Sequence, residues 1–312
     1  MAKPHLLESA GAAPAALVAP VAVSGRSWGV LALVFNAFAF GVSWWPFRQL
    51  AALGLHPLWL TGLSYAMAVV LLLVLRPAAL GELLRTPALW SLMLAAGVTN
   101  ACFNWAVSLG DVVRVILLFY LMPLWTVLLA RCLLGERISA RGGLRVALAL
   151  AGALVVLWPV SGSAWPLITS LSDALGLLGG VGFALNNVLL RRQSHCSSGA
   201  CALAMFAGGS AVSLALAATL SQSGPVTPLP AASAVLALGA LALALWFLAA
   251  NLALQHGAAK LPANTGSVIM ITEVFFASAS SLALGASNPG LREALGALMI
   301  LGAALLAALQ RD

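Results

Sequence analysis

The sequence predicts an all-helical membrane protein with ten transmembrane helices, arranged as two inverted five-helix repeats. Three observations carry that prediction. Hydrophobic residues make up 62% of the 312-residue chain and charged residues only 7%, against roughly 25% charged in an ordinary soluble domain. A 300-residue globule still leaves about a quarter of its unfolded-chain surface in water, so the solvent this chain is built for is lipid. The chain also echoes itself. Asn104 and Gly110 recur as Asn251 and Gly257, and Gly135 and Gly152 recur as Gly285 and Gly302 at an offset three residues larger, so that Leu121–Gly135 is mirrored by Ile271–Gly285. Duplicated membrane halves are a mark of transporters. Finally, the basic residues fall in short gaps between apolar runs, mostly on one side of the membrane.

Residues 1–25 are rich in Ala and Pro, and Pro14 and Pro20 interrupt any apolar core. A secretory leader needs about 7 to 15 uninterrupted apolar residues, so this segment reads as a flexible cytoplasmic tail; cleavage near Ala22 to Gly25 is the alternative. The first repeat, 26–160, contains apolar runs at 27–47, 57–75, 88–109, 112–133 and 142–158. The third and fourth form a hairpin about the Gly110-Asp111 turn, each arm long enough to cross a hydrocarbon layer of about 30 Å at 1.5 Å per residue. Residues 161–172 form an extracytoplasmic linker. The second repeat, 173–310, supplies runs at 173–190, 199–220, 233–254, 261–285 and 291–309. Small residues such as Gly176, Gly180, Gly208 and Gly209 allow close helix contacts where lipid gives no hydrophobic drive.

Orientation follows from charge. With a cytoplasmic N-terminus, twelve of the 15 basic residues lie inside, and only Arg48, Arg114 and Arg292 lie outside. That places both termini in the cytoplasm and the protein in a bacterial-type inner membrane. An odd number of spans per half then inverts the second repeat, giving a pseudo-two-fold axis in the membrane plane. The pI near 10.1 would point to nucleic acid in a soluble protein; here it reflects loop charge, and no nucleic-acid partner is expected.

Asn104-Trp-Ala-Val-Ser-Leu-Gly110, and Pro123 leading through an apolar run into Leu134-Gly135-Glu136 and a Gly-containing helix, resemble the EamA-type carriers of the drug/metabolite transporter superfamily. The resemblance runs from Ser27 to Gln310. It implies a ten-helix basket with a central cavity that exports small metabolites, and Phe119-Tyr120-Leu121-Met122-Pro123 is most similar to the branch exporting aromatic amino acids. Glu273 stands where the first repeat has Pro123, and Ala286 where it has Glu136.

Glu273 lies about twelve residues into the ninth run, near mid-bilayer. A carboxylate there must face water, be paired or carry a proton, which makes it the candidate for proton or cation coupling; packing glue is the alternative. Asn36, Asn100, Asn104, Asn187 (beside Asn186) and Asn251 offer donors and acceptors suited to a zwitterion. Phe40 and Ser43 continue a mixed stripe from Asn36. Trp44, Trp105, Tyr120 and Trp158 belong to helices expected to border the cavity, where they can stack on a ring or cation. Pro46 should bend the first helix near its outer end, which makes it the candidate gate hinge; a purely structural role, common for a proline near a helix end, is the alternative. Arg48 and Arg114 read as snorkelling residues, with a place at the cavity mouth attracting carboxylates as the alternative, and Glu136 as an ion-pairing anchor among Arg131, Arg137 and Arg141, with a gating role as the alternative.

The expected function is a secondary transporter that exports small metabolites, amino acids with aromatic or apolar ones favoured, by alternating access. A multidrug or other metabolite carrier is the alternative. An intramembrane enzyme is disfavoured: there is no HExxH or GxGD motif, and His5, His56, His195 and His256 fall in tails or loops. A channel or scaffold would need a continuous polar stripe. There is no Walker A motif, and no cofactor or metal is expected; Cys102, Cys132, Cys196 and Cys201 read as packing thiols, and His195, Cys196 and Cys201 lack a fourth zinc ligand. The partners are a small-molecule substrate and the bilayer, with the chain a monomer or weak homo-oligomer.

Overall fold

The structure, a computed structural model, describes residues 23–134, 140–158, 168, 170–193, 195–261 and 269–309. These residues hold thirteen α-helices and no strand. They are α1 Val23–Gly41, α2 Trp44–Ala52, α3 Pro57–Leu75, α4 Ala78–Arg85, α5 Ala88–Leu109, α6 Val112–Phe119 and α7 Met122–Leu134. Then follow α8 Ala140–Leu157, α9 Leu171–Arg192, α10 Ser198–Ser223, α11 Ala234–Lys260, α12 Thr272–Ala283 and α13 Leu291–Leu309. Seven segments among the described residues are long and apolar enough to cross a membrane: Ser27–Ala52, Pro57–Leu75, Ala88–Leu109, Val112–Leu133, Leu171–Leu190, Ser198–Ser223 and Ala234–Gly257. α8 holds a shorter apolar stretch, Val146–Val156. Large side chains such as Leu94, Leu238, Phe275 and Leu298 are exposed around the outside, as suits a lipid solvent.

Helix starts are set by local chemistry. Asp111 accepts from the Arg114 amide at α6, Ser170 from Asp173 at α9, Ser197 from Ala200 at α10 and Ser233 from Leu236 at α11. Each satisfies one of the four amides a helix N-terminus leaves unpaired. His56 does the same for α3 through its Nδ1, with Pro57 in the first turn. Gly224, at φ 97°, ends α10.

Two spans expected to be continuous are broken. The first stops at Gly41 and resumes at Trp44, because Pro46 has no amide hydrogen for the Val42 carbonyl four residues back. The expected bend near the outer end is thus a break one turn earlier, and the segment runs on to Ala52. Likewise α6 gives way to α7 at Tyr120-Leu121, since Pro123 offers no hydrogen to Phe119. α4 was not foreseen, and His256, expected in a loop, lies in the last turns of α11.

Helices of the first half pack mainly on helices of the second. α5 lies against α9 and α10, α3 against α10, α1 against α11 and α12, α8 against α13, and α6 against α9 and α12. Glycine makes the closest approach possible: a Cβ on Gly208 would lie 1.8 Å from the Met93 carbonyl oxygen.

Helix ends sort onto two faces. On the Arg48 face, Arg48 donates to the Val107 and Gly110 carbonyls, Trp59 to the Thr227 carbonyl, and the Val113 amide to Ser287. On the Glu82 face, Glu82 accepts from the Ser197 amide at 2.7 Å and from its hydroxyl, and Gly29 abuts Lys260 and Leu261. The Ser197 hydroxyl and amide hold the exposed Glu82 carboxyl below its ordinary value.

Candidate functional site

The site forms where the broken fourth span meets α12. The break leaves Tyr120 as the cap of α6, its amide on the Ile116 carbonyl, buried at 2% exposure, with Glu273 opposite it at 9% in the first turn of α12. The Tyr120 hydroxyl lies 3.1 Å from Glu273 Oε2 and 3.3 Å from the Met270 carbonyl. One phenolic hydrogen therefore has two acceptors in reach. Among the described residues no Lys or Arg forms an ion pair with Glu273. The carboxyl thus has a hydrogen-bond partner and no permanent counter-charge.

The broken first span closes the site from the other side. A Cβ on Gly41 would lie 2.8 Å from the Glu273 carbonyl oxygen and 3.1 Å from the Ala277 amide, so only glycine allows this approach. Trp44 is buried and donates its indole N–H to Ser280 at 3.0 Å, and Phe38 meets Phe276 edge-on at 5.4 Å. Phe119 stacks against Phe103 at 4.7 Å and Phe183 at 5.3 Å. Glu273 therefore has the Tyr120 ring beside it, with the Phe119 ring 6.1 Å from that of Tyr120, and such rings offer π-faces to a cation.

The amides are placed separately. Asn36 is fully buried and donates to the Ala250 carbonyl at 2.7 Å, while its Oδ1 has no partner. Asn104 donates to Thr61 at 3.1 Å; Asn100 accepts from Tyr65 at 2.7 Å and donates back to Ala96. Asn251 accepts from Gln255 at 2.7 Å, Asn187 is half-buried, and its neighbour Asn186 is buried with an unpartnered Oδ1. Phe40 packs on Phe247 at 5.4 Å, and Ser43 turns back onto the Phe40 carbonyl. Trp105 is buried with its ring 5.2 Å from that of His56. Trp158 is 57% exposed at the end of α8, away from the centre. Pro46 is half-buried in α2. Glu136 lies outside the described residues.

Phe119, Tyr120 and Leu121 are buried, and pockets of about 240 and 260 Å³ lie one beside Leu55, Met67 and Pro230, the other beside Leu154, Trp158 and Arg292. One expectation is corrected. Arg48 and Arg114 do not snorkel. Arg48 bonds two carbonyls and lies 5.2 Å from the Trp44 ring, and Arg114 pairs with Asp173. Asp173 was read only as a helix start; its signal was an acid in the first turn of a membrane helix.

The fold is that of a multi-pass, all-helical membrane protein among the described residues. Residues 27–158 match the model of the EamA-like transporter family, a family of transporters rather than enzymes, and this supports the drug/metabolite transporter superfamily. A solved crystal structure of another protein is similar over 90% of this chain and 96% of that one, with a TM-score of 0.56 and 18% identity. At that identity the likeness concerns the fold alone. No curated protein matches the sequence.

Proposed function

We propose that the chain is a secondary carrier that exports small metabolites, amino acids with aromatic or apolar side chains favoured, by alternating access between two inverted five-helix halves. The observation that carries this reading is the buried Glu273, without an ion pair among the described residues, at the meeting of two broken spans. Discontinuous helices at a repeat interface are where such carriers hold substrate, and a buried acid there suits an ammonium group or a proton. Tyr120, Phe119 and Trp44 supply apolar surface beside it.

Packing supports the inverted relation. α1 lies on α11 and α12 as α9 lies on α5 and on α6 and α7, while α3 pairs with α10 and α8 with α13. Gly110 abuts Ser172 near the start of α9, and its repeat-mate Gly257 abuts Gly29 and Leu33 in α1. The break at Leu121 also has a counterpart, a turn at Ile271 ahead of α12. The basic residues support cytoplasmic termini and an inner-membrane location.

The test is counterflow in proteoliposomes preloaded with unlabelled phenylalanine. Saturable uptake of labelled phenylalanine is expected, reduced at least about tenfold in Glu273→Gln. Linear, unsaturable flux, or full activity in Glu273→Gln, refutes the reading. Exchange of organic cations without amino acids moves the substrate assignment to the multidrug alternative.

A further inference from the structure

The Arg48 face is sealed far more tightly than a helix packing alone requires. In α6, Val112, Val113 and Val115 through Phe119 are all buried, and the helix is wedged among α5, α8, α9, α12 and α13. α7, the continuation of the same span, carries Leu128, Arg131, Cys132 and Leu133 exposed. Around the buried plug runs a polar collar. Arg114 donates from Nε to Asp173 Oδ1 at 2.8 Å, from Nη2 to Oδ2 at 3.0 Å and from Nη1 to the Val156 carbonyl at 2.7 Å. This joins α6 to α9 with planar, two-point geometry and to α8 through one carbonyl. Arg48 joins the first span to the third through Val107 and Gly110. Ser287 joins the α12–α13 turn to the Val113 amide at 3.4 Å.

Asp173 is 2% exposed and Arg114 25%. Withdrawing α6 leaves an acid buried without its cation, which is costly, so the pair favours the state closed on this face. The start of α1, which takes the place of α9 in the inverted half, has no acid between Val23 and Gly41.

We propose that Arg114 and Asp173 form the gate lock of the Arg48 face, whose breakage is the step that opens the solute path to that side. The inference rests on the alternating-access reading above. A lock makes a prediction that a merely stabilising ion pair does not: weakening it must expose one face and not the other.

Buried reporters exist on both faces. Ser287 is 2% exposed on the Arg48 face, and Leu261 is 7% exposed where it meets Gly29 on the opposite face. The full chain carrying Ser287→Cys or Leu261→Cys, in membrane vesicles, is labelled with an impermeant maleimide on the appropriate side. Peptide mass spectrometry reads the rate at each position, leaving the four native cysteines in place. Asp173→Asn should raise labelling at 287 by about tenfold or more, the loss of one charge-assisted contact, with labelling at 261 unchanged or slower. Arg114→Lys, which keeps the charge and loses the two-point geometry, should give an intermediate rise, and carries the test if Asp173→Asn does not insert. Unchanged labelling at 287, or a joint rise at both positions, overturns the proposal. Labelling needs no substrate, so the two ideas fail separately: a face-specific rise without phenylalanine counterflow sinks the substrate reading, and counterflow without the rise sinks the lock.

Discussion

Replacing Gly208 by Ala is the sharpest test of the packing. A Cβ at that position would sit 1.8 Å from the Met93 carbonyl oxygen and 2.6 Å from its carbonyl carbon, both backbone atoms that cannot rotate away. Carbon and oxygen need about 3.3 Å, so α5 and α10 must part locally by about 1.5 Å. The same interface already holds Gly97, whose own Cβ would lie 2.6 Å from the Gly208 oxygen. Overpacking of this kind costs about 1–3 kcal/mol, and the unyielding neighbour argues for the upper half. Ala gains about 0.5–1 kcal/mol over Gly in a helix, leaving a net loss of about 1–2.5 kcal/mol. At about 2 °C per kcal/mol for a chain of this size, Tm in detergent should fall by about 2–5 °C. Gly81→Ala in α4, where nothing lies within 4 Å, is the control and should raise Tm by about 1–2 °C. A Gly208→Ala protein that melts with or above its parent, while Gly81→Ala behaves as stated, refutes the packing argument.

Three further outcomes can be checked. Burial pushes His56 down to about 4, so the folded protein keeps it neutral, as its role of accepting from Leu58 requires, while the unfolded chain protonates near the ordinary value of about 6.5. Stability from this group is complete above about pH 6.5, is lost as pH falls toward 4, and falls no further below; Tm against pH should be flatter for His56→Asn, which retains an acceptor. Cysteines at 82 and 197 should be bridged in membranes by a short bifunctional maleimide, and no bridging would separate loops that the Glu82 bonds place together. Tyr120→Phe removes the hydroxyl from Glu273 and Met270 and should cost only about 0.6 kcal/mol of stability, read as about 1 °C in Tm, yet weaken phenylalanine counterflow at least severalfold.

Much of the helical layout could be read from the chain because lipid demands long apolar runs. Pro57–Leu75 and Ala88–Leu109 begin and end where Pro, Gly and charge predicted. The breaks were half legible: Pro46 and Pro123 announce a missing donor, but the place where the helix yields lies one turn earlier. The partner of Glu273 was not legible. Tyr120 is 153 residues away, and nothing local distinguishes a tyrosine aimed at an acid from one facing lipid. The same holds for Arg114, whose charge suggested the interface until Asp173 appeared beside it. The amides show the limit most clearly, since periodicity put Asn100 and Asn104 on one face while Tyr65 and Thr61 on α3 decide what each can still bind.

The cross-wise packing has a consequence for biosynthesis. α5 finds its main neighbours in α9 and α10, and α8 in α13, so a nascent first half leaves the ribosome and enters the translocon with its glycine-lined surfaces uncovered until the last helix has been made. Quality-control proteases should clear that orphaned fragment quickly. Supplying the missing fragment from a second gene should rescue it.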